Sequence, residues 1–129
     1  MAHTFDMARL RTRLLLDQPF FGSLAMHLEM VPDASVPTAQ TNGVYLKFNP
    51  DFMATLTENE QLGVLAHEVL HPALLHPYRR GDRDPKLWNE ACDFAINTQL
   101  IEAGFRLPQG ALLDQQYKGM SAEAIYSKR

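Results

Sequence analysis

The chain has 129 residues, a net charge of −3 at pH 7 and an apolar content of 46%. Its length fits one domain with its own hydrophobic core, residues 1–129, and its weakly acidic charge argues against nucleic acid or an anionic membrane as a partner. The single cysteine, Cys92, excludes an intrachain disulfide framework, and the lack of a membrane-length apolar run or a signal-peptide pattern favours a cytoplasmic protein.

The region before residue 49 predicts one helix and two strands. Apolar residues at helical spacing predict a helix over residues 4–17. Apolar side chains recur at every second position in residues 23–31, and this period of two predicts a strand with one buried face. Residues 32–42 are rich in Pro, Asp, Ser and Thr and predict a loop. The turn pair Asn42-Gly43 then leads into a second predicted strand, residues 44–48.

The first long helix after the strands carries the most informative motif of the chain. It follows a short helical turn predicted at residues 50–53, and Thr57 with Glu60 forms a capping box that marks its start. Pro72 is expected to kink or end it, because proline removes one helical hydrogen bond. Residues 67–71, His-Glu-Val-Leu-His, lie within this predicted helix and match the pattern HExxH.

The HExxH stretch is typical of a catalytic zinc site. His67 and His71 are four residues apart, so on a helix both imidazoles lie on one face and can bind the same Zn²⁺ ion. Glu68 lies between them and can act as general base towards a water molecule. The alternative is a surface helix whose histidines and glutamate form a solvated stripe without a metal.

A second long helix offers candidates for the third ligand, since catalytic zinc sites usually take three ligands from the protein. Asp84-Pro85 marks the start of this helix, and Gly104 suits the position after its end. Glu90, Asp93 and Asn97 share one of its faces among small and apolar neighbours. Buried carboxylates need positive compensation, which a metal on the facing helix would provide, although a solvated polar stripe is the alternative.

His76 is the remaining candidate for the third ligand. It lies five residues after His71, and a straight helix would carry it off the ligand face. The residues by themselves therefore leave His76, Glu90 and Asp93 open as the third ligand.

Beyond the motif, the chain resembles the metallopeptidase-type domain that bacterial and phage proteins often carry N-terminal to a von Willebrand A-like domain. The likeness extends from about residue 20 to residue 126. The matching residues are 65–71, Arg79-Arg80-Gly81, Asp84-Pro85, 87–89, Ala91, Asp93, Ile96-Asn97, 119–123 and Ile125-Tyr126. More broadly, the chain is similar to the zincin class of zinc metallopeptidases.

The resemblance implies an α+β, zincin-like fold, with a small mixed sheet packed against the HExxH helix and a second, acidic ligand helix. It favours Asp93 over Glu90 as the third ligand, because the family's acidic position falls at Asp93. The ligand set that it implies is His67, His71 and Asp93 around Zn²⁺, with Glu68 as the catalytic residue.

These inferences predict a zinc-dependent hydrolase that cleaves peptide bonds in a peptide or protein substrate. Asn97 could hold a metal ligand in place, and His76 and Tyr78 are the nearest polar candidates for stabilising an oxyanion. The strand at residues 44–48 could bind an extended peptide along its edge. The competing prediction is a non-catalytic, zinc-containing module of the same fold that acts by binding a protein partner or partner domain.

Overall fold

The computed structural model describes residues 5–74 and 76–129 and shows a mixed α+β fold. The helices are α1 (Met7–Asp17), α2 (Pro19–Met26), α3 (Pro50–Ala54), α4 (Glu58–Ala73), α5 (His76–Arg79), α6 (Pro85–Glu102) and α7 (Ala122–Lys128). The strands are β1 (Glu29–Pro32), β2 (Ala39–Thr41) and β3 (Tyr45–Phe48). Within the described ranges, every helix is too short or too polar to cross a membrane.

The three strands form one small mixed sheet with the order β1-β3-β2. β1 runs parallel to β3, and β2 runs antiparallel to it. The turn between β2 and β3 has the predicted chemistry, because the Asn42 side chain accepts hydrogen bonds from the backbone N–H groups of Val44 and Tyr45 and Gly43 has a φ of +90°. The second predicted strand is therefore confirmed from Tyr45 onwards.

The strand predicted over residues 23–31 is wrong for most of its length. α2 continues to Met26, and β1 begins only at Glu29. α2 packs closely on α1, since a Cβ atom at Gly22 would lie 2.2 Å from the Cα atom of Leu15. The two helices pack so closely that only glycine fits between them, and this contact between consecutive helices has no signal in the alternation of residues 23–31.

The loop predicted over residues 32–42 contains a short strand. β2 is three residues long and pairs with the end of β3, Ala39 opposite Phe48. So short a segment has no periodicity of its own, and its extended conformation depends on the hydrogen bonds that β3 supplies.

α4 has the start and end that its sequence predicts. The Thr57 hydroxyl accepts from the backbone N–H of Glu60, and the Glu60 carboxylate accepts from the backbone N–H of Thr57. The helix ends one residue after Pro72. α6 also begins as predicted, because the Asp84 carboxylate accepts from the backbone N–H of Leu87, 2.9 Å away.

The described residues form two hydrophobic core clusters, and α6 contributes to both. The larger cluster packs α1, β3 and α4 against one side of α6, where Ile96 and Leu100 are fully buried. The smaller cluster joins α6 to α7 through Trp88, Ala91 and Ile125. Because each large apolar side chain contributes roughly 1.5–3 kcal/mol when it is buried, these contacts hold α6 firmly beside α4.

Candidate metal centre

The two histidines of the motif lie side by side on α4. Their ring centroids are 4.7 Å apart, and the two Nε2 atoms are 3.0 Å apart. Leu65 and Val69 on the same helix are 1% exposed and pack into the core. Because the apolar side chains fix the rotation of the helix, both imidazoles face α6.

α6 adds a carboxylate to the two imidazoles. The Oδ1 atom of Asp93 lies 3.1 Å from the Nε2 atom of His67 and 3.1 Å from the Nε2 atom of His71. Among the described side chains, those of residues 5–74 and 78–129, this is the one group of three histidine, cysteine or acidic side chains with the spacing of a metal site. The three ligand atoms thus form a nearly equilateral triangle between the two helices.

This triangle fits a zinc ion. Two imidazole nitrogens and one carboxylate oxygen are common zinc ligands, and bonds of about 2.0–2.1 Å in a tetrahedron set ligand atoms roughly 3.3 Å apart. The observed separations of 3.0 and 3.1 Å are close to that value. Three such ligands leave one tetrahedral position for water or substrate.

Asn97 fixes the orientation of the first histidine. Its Nδ2 atom donates to the backbone carbonyl of Leu112, 2.7 Å away, so its Oδ1 atom faces the Nδ1 atom of His67, also 2.7 Å away. A carbonyl oxygen can only accept, so Nδ1 of His67 must carry the hydrogen. When His67 is neutral, this tautomer presents the lone pair of Nε2 to the triangle, as metal binding requires.

The charges of the site favour an ionised Asp93. Burial raises the pKa of Asp93, but its hydrogen bonds with His67 and His71 lower that pKa by more, so it lies well below its usual value. Burial lowers the pKa of His67, and its contacts with Asp93 and Glu68 raise that pKa by more. The triangle therefore carries an anionic ligand beside two imidazoles, which suits a divalent cation.

Glu68 lies next to the triangle and faces the same cleft as His67 and Asp93. Its side chain is half-buried. Burial raises the pKa of the Glu68 carboxyl, while the neighbouring histidines lower it by less. The motif thus sets an acidic group beside the three candidate ligands without making it part of the triangle.

The cleft beside the triangle has a volume of about 330 Å³. One loop, residues 107–112, supplies much of its lining, and Thr38, directly before β2, also faces it. The remaining lining residues are Phe52, Gly63, Val64, His67, Glu68, Asp93 and Asn97. Apolar side chains thus surround a small set of polar groups, which is typical of a ligand site.

Other predicted site residues lie elsewhere. Glu90 forms an ion pair with Arg129 instead of joining the triangle. Tyr78 is 85% exposed and does not line the cleft. The side chain of His76 lies outside the described part of the chain. Residues 44–48 cannot accept a peptide along an edge, because β3 is the central strand of the sheet and is paired on both sides.

The loop over residues 107–112 was missed as part of the site. It meets Asn97 through a backbone carbonyl, and a backbone contact leaves no residue-specific signal in a sequence.

Two of the residues that carry the family resemblance, Arg79 and Glu123, have a structural role. Arg79 pairs with Glu123 and also donates to the carbonyl of Leu74. Arg79 therefore ties the end of α4 to α7.

Comparison with known proteins identifies the family. The profile of the family described as "Putative metallopeptidase domain" matches residues 2–129. The chain belongs to this family. A protein from Thermotoga maritima, described as "Uncharacterized protein", is 29% identical over 108 residues, which cover 77% of this chain and 27% of that protein. The chain thus spans about a quarter of the length of this relative. No solved structure matches the chain.

Proposed function

We propose that this chain is a zinc-dependent peptidase with a zincin-like arrangement of its site. The observation that carries the proposal is the triangle of His67, His71 and Asp93, with Glu68 facing the same cleft. Membership of a metallopeptidase family supports it. A peptide or protein substrate and a cytoplasmic location stay predictions from the sequence.

The three ligands would hold Zn²⁺ between α4 and α6. Bound zinc supplies Lewis-acid chemistry, since it lowers the pKa of a coordinated water and polarises a carbonyl oxygen. His67 and His71 would bind the ion through imidazole nitrogens, and Asp93, whose pKa is lowered, would add the one negative charge of the ligand set.

Glu68 would move the protons of the reaction. Its carboxylate accepts a proton from the attacking water as the bond between the water oxygen and the scissile carbon forms. The same group then donates this proton to the amine nitrogen as the carbon–nitrogen bond breaks. Its place on α4 between His67 and His71 would keep the carboxylate beside the zinc ligands and facing the cleft.

An extended substrate would bind beside these residues, at the edge of the sheet. β2 lies at one edge of the sheet and contacts α4. Thr38, one residue before β2, lines the cleft. A peptide that pairs with the outer edge of β2 would add a strand to the sheet and pass along the cleft.

The first test combines metal analysis with a broad peptide library. We expect wild-type protein to bind about one zinc ion per chain and to cleave a subset of the peptides. Glu68→Gln should keep the zinc and lose cleavage, because the amide cannot accept the proton. Wild-type protein that binds zinc but cleaves nothing would instead support the non-catalytic, partner-binding module.

A matched pair of variants on α6 tests the third ligand. Asp93→Asn should lose most of the zinc, since a neutral amide replaces the anionic ligand. Glu90→Gln should keep it, because Glu90 pairs with Arg129 away from the triangle. Equal zinc content in Asp93→Asn and wild type would refute the proposed ligand set.

A further inference from the structure

One buried amide joins the metal centre to the loop that lines the cleft, residues 107–112, which we call the cleft loop. Asn97 is 3% exposed and lies one turn beyond Asp93 on α6. One end of its amide accepts from Nδ1 of His67, and the other end donates to the carbonyl of Leu112. Both contacts are 2.7 Å long, so a single side chain touches a metal ligand and the substrate cleft wall.

The contact with His67 orients a ligand. An imidazole can rotate and can carry its hydrogen on either nitrogen, and only one arrangement presents the Nε2 lone pair to the triangle. The Asn97 carbonyl oxygen selects that arrangement, because it accepts only from an Nδ1–H group. Without this acceptor, His67 would have to be ordered at the time of metal binding, and the metal would bind less tightly.

The contact with Leu112 anchors the cleft loop at one end. The other end follows Arg106, whose backbone carbonyl packs directly on α4 at Gly63. The loop is thus held against both helices that carry the triangle. Its side chains Leu107, Pro108 and Leu112 line the cleft, so their positions decide which substrate groups fit there.

We propose that Asn97 is a positioning residue that couples the cleft loop to His67. This proposal rests on the zinc peptidase proposed above, and it adds a link between the metal site and the substrate cleft. A movement of the loop pulls on the Asn97 amide and disturbs His67, and a metal that holds His67 stabilises the loop. Such coupling acts equally in both directions.

Two substitutions at Asn97 separate its two contacts. Asn97→Asp keeps an oxygen that accepts from His67 but has no N–H to donate to Leu112. Asn97→Ala loses both contacts. Thr98→Ala is the matched control, because Thr98 is a buried polar neighbour on α6 whose hydroxyl donates within the helix, to the Phe94 carbonyl.

Two measurements test the two contacts of Asn97 without relying on catalysis. Zinc affinity tests the contact with His67, and amide hydrogen exchange tests the contact with Leu112. Asn97→Ala should weaken zinc binding by about 10- to 100-fold, the usual effect of losing a partner of a metal-bound histidine. It should also speed the exchange of the Ala111 amide, which donates to the Pro108 carbonyl inside the cleft loop. Asn97→Asp should bind zinc as tightly as wild type or more tightly, yet show the fast exchange of the alanine variant.

The possible results distinguish failure of the coupling from failure of the proposed function. Asn97→Asp that loses zinc, or that keeps slow exchange in the cleft loop, would overturn the coupling, even if Asn97→Ala fails to fold. Asn97 variants that match wild type and Thr98→Ala in both measurements would also overturn it while leaving the proposed peptidase intact. Wild-type protein that binds no zinc would overturn the proposed function itself.

Discussion

Substituting Gly63 by alanine has two opposite effects on the free energy of unfolding. Gly63 lies in α4, one turn before His67. Alanine is more stable than glycine inside a helix by about 1 kcal/mol. A Cβ atom at this position, however, would lie 1.9 Å from the backbone oxygen of Arg106 and 3.0 Å from its carbonyl carbon. The backbone of Arg106 would have to move by more than about 1 Å to restore an ordinary contact.

We expect the steric clash with Arg106 to outweigh the higher helix propensity of alanine. Forcing an extra carbon into a packed site costs about 1–3 kcal/mol, and a clash with backbone lies at the upper end because it cannot be relieved by a change of rotamer. We therefore expect Gly63→Ala to lower the free energy of unfolding by about 1–2 kcal/mol net. For a domain of this size, Tm should fall by about 3–8 °C.

Urea denaturation and thermal unfolding of the metal-free protein measure this effect. Gln99→Ala is the control, because it introduces alanine at an exposed position of α6. It should leave stability unchanged or raise it by a few tenths of a kcal/mol. Gly63→Ala as stable as wild type, or more stable, would refute the close packing of the Arg106 backbone on α4.

Three further predictions concern metal, pH and thiol chemistry. Zinc at about 100 times its Kd should raise stability by about 2.7 kcal/mol, and EDTA should reverse the rise in Tm; an unchanged Tm would contradict the metal site. Arg79 lowers the pKa of Glu123 from 4.5 to about 2, so this pair stabilises the fold above about pH 4.5 and loses its effect as pH falls towards 2. Because both side chains are about one-third exposed, Glu123→Gln should cost only about 1 kcal/mol at pH 7, and a similar loss at pH 2 would argue against the ion pair. Burial raises the pKa of Cys92 to about 12, so a thiol reagent should modify it only after urea unfolds the chain.

The sequence by itself was sufficient to predict α4 and the start of α6. The capping box of Thr57 and Glu60 and the spacing of His67 and His71 depend on residues within one helical turn of each other. Local hydrogen bonds and the helical period decide these features, and the sequence shows both directly.

Tertiary structure decided the features that depend on distant residues. Asp93 and Glu90 share a helix face in the sequence, and only the packing of α6 beside α4 brings one of them to the histidines and leaves the other with Arg129. α2 packs closely on α1 at Gly22, which the alternating pattern of residues 23–31 does not indicate. The cleft loop reaches the site through a backbone carbonyl. Packing between elements and backbone contacts of this kind leave no periodic signal along the chain, so only the tertiary structure reveals them.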